Sequence, residues 1–295
     1  MRALPTLLIA SILAFGATAP AQAQKETGKI AVVAAQNFYG DIARQIGGDR
    51  VSVTSVLMNA DQDPHLFEPS PAVARQIADA QIVIANGAHY DEWVDKLLKT
   101  APRPNRTVIS AGKLMKARHG DNPHLWYNPA TMPAVAKALA AALSKADSAH
   151  AAGYSERLAK TLAEFDRISQ RVKDMRAKHA GKPVAATEPV FGLMADALGL
   201  TMRNQKFQRA LMNETEPSAR DIAAFEDDLK KGRVKVLIYN KQVSEKLAER
   251  LVTIARTAKV PVVAVTETQP ADTSFEDWML SQLDTLDKAL TGSKT

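Results

Sequence analysis

AHAAGYSERLAKTLAEFDRISQRVKDMRAKH, residues 149–179, carries Tyr154, Leu158, Leu162, Phe165, Ile168, Val172 and Met175 at spacings of three and four. That is one apolar stripe on a single helix of about thirty residues, roughly 45 Å long at 1.5 Å per residue. Globular helices are commonly much shorter, so this one is expected to run along the whole molecule. On either side the chain alternates strand and helix. Before it come KIAVVAAQ, VSVTSVL, QIVIANG and TVIS as strands, with FYGDIARQIGG, a segment opened by Ser70-Pro71, YDEWVDKLLK and an alanine-rich stretch from Thr131 to Ser144 as helices. After it come PVAAT, VKVLIYN and VPVVAVT as strands. Their helices are PVFGLMADALG, a segment capped by Ser218 and Asp221, SEKLAERLVTIARTA and SFEDWMLSQLDTLDKAL. Strands alternating with helices imply parallel sheets covered on their faces. The fold class read from this is α/β: two lobes with helix-flanked parallel sheets, joined by one long rigid helix.

The 295 residues are 46% hydrophobic and 24% charged, enough material for a sizeable core and for two domains. MRALPTLLIASILAFGATAPAQAQ has Arg2, an apolar run from Leu7 to Ala14 and a small-residue site at Ala21-Gln22-Ala23. It reads as a signal peptide cleaved between Ala23 and Gln24, because the run is too short to span a bilayer. The expected divisions are a signal peptide at 1–23, a first lobe at 24–147, the linking helix at 148–180 and a second lobe at 181–295. The chain has no cysteine, so it forms no disulfide and offers no lipid-acceptor thiol. The expectation is a free, monomeric protein in a periplasm. The net charge of +6 is spread among interleaved acids and bases, as in KQVSEKLAERLVTIARTAK, which reads as a solvated surface and not a nucleic-acid interface.

Two stretches repeat a phrase: DPHLFEPSP at 63–71 and NPHLWYNP at 122–129. Each proline fixes its own φ and pushes the preceding residue into extended backbone, so His65 and His124 sit on stiff, non-helical loops. Ligands in open α/β sheets bind beyond the carboxyl ends of strands. His65 follows VSVTSVL, His124 follows TVIS, Glu188 follows PVAAT and Glu267 follows VPVVAVT. Two lie in each half, so all four could meet in the cleft between the halves. Two imidazoles and two carboxylates suit a divalent transition ion. Taken singly, each has a plainer reading: a surface or hydrogen-bonded histidine, a helix N-cap, or turn chemistry beside Pro189. Both readings stay open on the residues alone. The other histidines read as surface, capping or helix-end residues: His89, His119 (also a possible transient collector), His150 and His179. The three tryptophans read as packing residues, with Trp126 roofing the cleft beside His124.

DPHLFEPSP resembles the Asp-Pro-His-x-Tyr-Glu-Pro-Thr-Pro loop of the metal-binding substrate-binding proteins of ABC transporters (cluster A-I, or cluster 9). NPHLWYNP is similar to that family's Asp-Pro-His-x-Trp-x-Asp-Pro loop. ATEPVFGLMADALGL and VVAVTET resemble the segments supplying its third and fourth ligands. The resemblance runs over nearly the whole mature chain. It implies two α/β lobes on a rigid helix, capture of Mn, Zn or Fe as cargo, an inner-membrane ABC permease as partner, and His65, His124, Glu188 and Glu267 as ligands. The chain departs from the pattern in four ways. Glu188 stands where zinc-type members have histidine, Glu267 where aspartate is usual, and Asn122 and Asn128 where aspartates are common. No His-rich loop separates the two histidine motifs. If either glutamate binds through both oxygens, five or six donors result, which leans to Mn2+ or Fe2+ over Zn2+ in the cell, although zinc outbinds manganese in simple competition.

Two rivals come from other classes. A metal-dependent hydrolase would keep a coordination position for water and need a nearby general acid or base. The chain has no HExxH, no Ser-His-Asp set and no Gly-rich phosphate loop. The other rival is an exported adhesion or interaction protein with a structural or vestigial metal site.

Overall fold

The structure, a computed structural model, describes residues 28–59, 64–212, 215–242 and 246–292. The expected signal peptide and its cleavage site lie outside the described residues. The first lobe runs β1 (Ile30–Gln36), α1 (Asn37–Gly47), β2 (Val51–Leu57), α2 (Pro71–Asp79), β3 (Ile82–Ala85), α3 (Glu92–Thr100), β4 (Thr107–Ser110), α4 (Ala111–Leu114) and α5 (Thr131–Ala146). The long helix α6 (Ala151–His179) follows a short 3-10 turn at Ser148–His150. The second lobe runs β5 (Pro183–Ala186), α7 (Gly192–Ala197), β6 (Thr201–Met202), α8 (Gln205–Met212), α9 (Ala219–Lys230), β7 (Leu237–Asn240), α10 (Lys246–Thr257), β8 (Val262–Val265) and α11 (Phe275–Thr291). The two four-stranded sheets have orders β2-β1-β3-β4 and β6-β5-β7-β8, with every pair parallel. The lobes therefore share one topology.

Side-chain alternation along the strands sorts the core. Ile30, Val32 and Ala34 of β1, with Ile82 and Ile84 of β3, face a central cluster. Val33, Ala35, Val83 and Ala85 face the opposite way, into a separate cluster under α2 and α3. In the second lobe Val184, Ala186, Ile238, Val263 and Val265 point to the same central cluster, while Ala185 and Leu237 join a cluster with α9 and α10. This is the period of two expected of a sheet covered on both faces. The inner faces of both sheets thus share one continuous core.

The long helix is the spine of that core. Tyr154, Phe165, Ile168, Val172 and Met175 are buried on it, and Leu158 and Leu162 are half-buried, along the stripe read from the sequence. Its last turn is pinned to α11: His179 Nε2 lies 2.5 Å from Asp287 Oδ1, and the Arg171 guanidinium donates to Asp284 and Asp287 at 2.9 and 2.8 Å. Burial pushes the Asp287 carboxyl up, but those two partners outweigh it and hold it below its ordinary range.

Local signals read from the sequence hold at Ser70 and Ser218, whose hydroxyls accept from the backbone N–H of Val73 and Asp221; Ser274 caps α11 in the same way, accepting from the Asp277 N–H. Two boundaries differ from expectation. The helix anticipated from Pro189 begins only at Gly192, because Pro189-Val190-Phe191 forms a turn closed by Gly192 N donating to the Pro189 carbonyl. His89 does not open α3; it precedes the helix in left-handed backbone (φ 64), with Asp91 at the cap position. The strand β6 and helix α8 were not anticipated: two residues carry no readable period.

Candidate metal centre

Strand order reverses between β1 and β3 in one sheet and between β5 and β7 in the other. Open α/β sheets bind ligands at such switch points, beyond the carboxyl ends of the strands. The residues there are Gln36 and Asn86 in the first lobe, and Glu188 and Asn240 in the second. Glu267 follows β8, the neighbour of β7. The two crevices meet where Tyr90 and His124 of the first lobe both reach Glu267 of the second.

His124 is buried, immediately ahead of a 3-10 turn at Leu125–Tyr127. Its Nδ1 lies 2.7 Å from Asn122 Oδ1, an oxygen that also accepts from the His124 backbone N–H at 3.0 Å. Since an amide oxygen can only accept, Nδ1 carries the proton and Nε2 faces the cleft. Nε2 lies 3.4 Å from Glu267 Oε2. Trp126 packs its indole edge to face against the imidazole, with ring centroids 5.3 Å apart. It is buried beside His124 and belongs to the central core.

The second lobe presents the carboxylates. Glu267 has no solvent exposure and Glu188 is half-buried. The Asn240 amide nitrogen donates to Glu267 Oε1 at 2.6 Å and to Glu188 Oε2 at 3.1 Å, so one side chain joins both. The Gln242 amide oxygen accepts from the backbone N–H of Glu267 at 2.5 Å and of Thr268 at 3.3 Å, which fixes the turn leaving β8. From the first lobe, the Tyr90 hydroxyl donates to Glu267 Oε2 at 2.8 Å.

The His124 loop reaches both carboxylate segments. Asn122 Nδ2 donates to the Pro189 carbonyl at 2.6 Å, next to Glu188. The Tyr127 hydroxyl donates to the Thr266 carbonyl at 2.7 Å, next to Glu267. The same loop is held to β3 by Asn86, whose Nδ2 donates to the Pro123 carbonyl at 2.8 Å. Burial holds the Tyr127 phenol well above its ordinary range, so it remains a donor.

Tyr90 reaches the site from a strained turn. Gly87, Ala88 and His89 are consecutive left-handed residues, with φ 69, 53 and 64. L residues there cost about 1–2 kcal/mol each. Asp91 holds the turn: its Oδ2 accepts from the Asn86 backbone N–H at 2.7 Å and from Gln36 Nε2 at 3.1 Å, and its Oδ1 from the Gly87 N–H at 2.7 Å. Burial pushes the Asp91 carboxyl up to about 6, although those donors pull the other way.

His65 lies in a one-turn 3-10 segment, Pro64–Leu66; its side chain is outside the described residues. Thr268 Oγ1 donates to the Asn59 carbonyl at 3.3 Å, which tethers the approach to that loop just past Glu267. Among the described residues no three His, Cys, Asp or Glu side chains are grouped to hold an ion. What is brought together is the His124–Glu267 pair, with Glu188 joined through Asn240. The remaining histidines lie elsewhere. His89 and His119 are exposed and adjacent, His150 sits on Asp147 and His179 on Asp287.

Asn240 and Tyr90 were not singled out in the sequence. Asn240 ends VKVLIYN, and the strand-end rule that picks out Glu188 and Glu267 reaches it too. Tyr90 carries no such signal, because only the left-handed turn aims it at Glu267.

The manganese ABC transporter substrate-binding lipoprotein PsaA of Streptococcus pneumoniae is 24% identical over 282 residues, covering 90% of this chain and 89% of that protein. The zinc-binding lipoprotein AdcA of the same species is 24% identical over 273 residues, covering 83% of this chain and 52% of that protein. Among solved structures, the periplasmic zinc binding protein TroA from Treponema pallidum superposes with a TM-score of 0.75 at 18% identity, covering 89% of this chain and 99% of that one. The fold is therefore shared with that protein. The family model for zinc-uptake complex component A, periplasmic, matches residues 32–289. That span runs from within β1 to within α11 and takes in both sheets, the long helix and all four candidate ligands, and the chain belongs to this zinc-uptake complex component A family.

Proposed function

We propose that this protein is the substrate-binding component of an ABC transporter for a divalent transition metal. It captures the ion between lobes 24–147 and 181–295, which helix 148–180 links, and delivers it to an inner-membrane permease. His65 and His124 supply nitrogen, Glu188 and Glu267 supply oxygen, and the ion is cargo. The protein works as a monomer in the periplasm, without its signal peptide, and catalyses no reaction. Family membership and the resemblance to manganese- and zinc-binding relatives support the transport role.

One observation carries the ligand assignment. With Nδ1 committed to Asn122, His124 Nε2 lies 3.4 Å from Glu267 Oε2 in a buried site. A ring nitrogen and a carboxylate oxygen so placed can both reach one divalent transition ion. The Asn122 contact is the arrangement that metal-bound histidines use to fix their tautomer.

Calorimetric titration of the demetallated mature protein with zinc and with manganese tests this reading. One tight equivalent is expected, lost by orders of magnitude in His124→Ala and in His65→Ala. Undiminished binding in His124→Ala overturns the ligand set, and turnover of a substrate by the loaded protein overturns the transport role.

A further inference from the structure

We infer that Asn240 decides how the two glutamates bind, and through that which metal the site prefers. The inference rests on the ligand set proposed above. Asn240 ends β7 at the switch point of the second sheet and is buried. Its Oδ1 accepts from the Gln242 backbone N–H at 3.0 Å, which fixes the orientation of the amide. A primary amide has two N–H groups, and here they serve two carboxylates: Glu267 Oε1 at 2.6 Å and Glu188 Oε2 at 3.1 Å. Carboxylates only accept, so the reverse orientation would set three oxygens against one another.

The arrangement splits the work of each carboxylate. Glu267 Oε1 is anchored to Asn240, and Oε2 is the oxygen that lies beside His124 Nε2. Glu267 Oε2 also accepts from Tyr90, so an accepted hydrogen bond leaves an oxygen a lone pair for the ion. Drawing the Asn240-held oxygen of either glutamate onto the same ion, however, strains a charge-assisted hydrogen bond in a buried setting. Asn240 therefore presents each glutamate as a one-oxygen ligand. Two such oxygens with two imidazole nitrogens make four donors, the number zinc adopts in closed protein sites, whereas manganese accepts more oxygen and higher coordination. The sequence expectation of Mn2+ or Fe2+ assumed two-oxygen binding. Asn240 opposes that binding mode and favours zinc.

The test compares wild type, Asn240→Ala, Asn240→Ser and His124→Ala. Zinc and manganese affinities are measured against competing chelators, and cobalt(II) is loaded as a spectroscopic probe. Wild type should give the intense visible bands of a four-coordinate cobalt ion. Asn240→Ala should weaken those bands and lower zinc affinity by about 10- to 100-fold, the usual effect of removing a group that orients a ligand, with a smaller loss for manganese, so that the zinc-over-manganese preference falls. Asn240→Ser, which keeps one donor for one carboxylate, should fall between, and it decides the matter if Asn240→Ala does not fold. Unchanged cobalt bands and an unchanged metal ratio in the folded variant overturn the role of Asn240, as does a weakly absorbing wild type. Binding that survives in His124→Ala is a separate failure, that of the ligand set itself.

Discussion

At the residue scale the candidate site depends on side chains that hold ligands as much as on the ligands. Asn122 serves His124 through one amide atom and the Pro189 carbonyl through the other, so it sets the imidazole and joins the lobes. Asn122→Ala should weaken metal binding by about 10- to 100-fold, while His150→Ala, beside Asp147 and away from the site, should leave it unchanged; competition titration separates the two. An aspartate at 122, which the resemblance would suggest, would keep the acceptor but lose the donor to Pro189. Protons compete with the ion for imidazoles and carboxylates, so affinity should fall between about pH 7 and about pH 5; a flat profile would remove histidine from the ligand set.

Asp91 shows the opposite kind of pH dependence, in stability. Its carboxyl is raised to about 6 in the folded protein, so the proton binds the native state more tightly than the unfolded chain. The stabilisation is complete below the unfolded value near 4 and is lost as pH rises through about 6. Metal-free wild type should therefore lose stability relative to Asp91→Asn between about pH 4 and about pH 6, measured by urea denaturation. A constant offset between the two proteins across that window would place the Asp91 pKa in its ordinary range.

At the element scale, α6 and the His124 loop do different jobs. The helix supplies a fixed wall: Phe165 is buried from its midpoint against Phe275 of α11, with ring centroids 6.0 Å apart. Phe165→Ala should cost about 3–5 kcal/mol of stability, read from denaturant midpoints, because the cavity opens in a core common to both lobes. The loop supplies reach. Four residues from Asn122 to Tyr127, with Pro123 and His124 between, touch β3, the Glu188 turn and the Glu267 turn. A helix could not make those contacts from one face, and Pro123 within the segment and Pro129 just after it keep the chain from continuing as one.

At the scale of the whole molecule, the inner faces of both sheets, α6 and α11 form one core. Further bonds cross between the lobes. Asn37 of α1 pairs its side-chain amide with the backbone of Gln269, donating at 2.6 Å and accepting at 3.1 Å. Asp41 Oδ2 accepts from the Phe275 backbone N–H at 2.8 Å. Lobes fused in this way should unfold together, as a single calorimetric transition; two resolved transitions would mean the shared core contributes little. An ion that binds only the folded protein raises its stability by mass action, about 2.7 kcal/mol at a hundredfold excess over Kd.

The sequence by itself determined the elements and their kind. Strand and helix periods, the Ser70 and Ser218 caps and the stripe from Tyr154 to Met175 depend on neighbours within a turn or two, so they are legible without the fold. Proline-stiffened histidines and carboxylates just past strand ends are legible for the same reason. Tertiary structure decided what those residues meet. That Asn240 divides its two N–H groups between Glu188 and Glu267, 52 and 27 residues away, follows from parallel pairing of β5, β7 and β8 and from no local pattern. That Tyr90 lands on Glu267, 177 residues away, follows from a left-handed turn and from two sheets sharing one core. Contacts between distant residues are set by how the apolar faces pack, and one-dimensional periodicity carries no information about which strand end will face which.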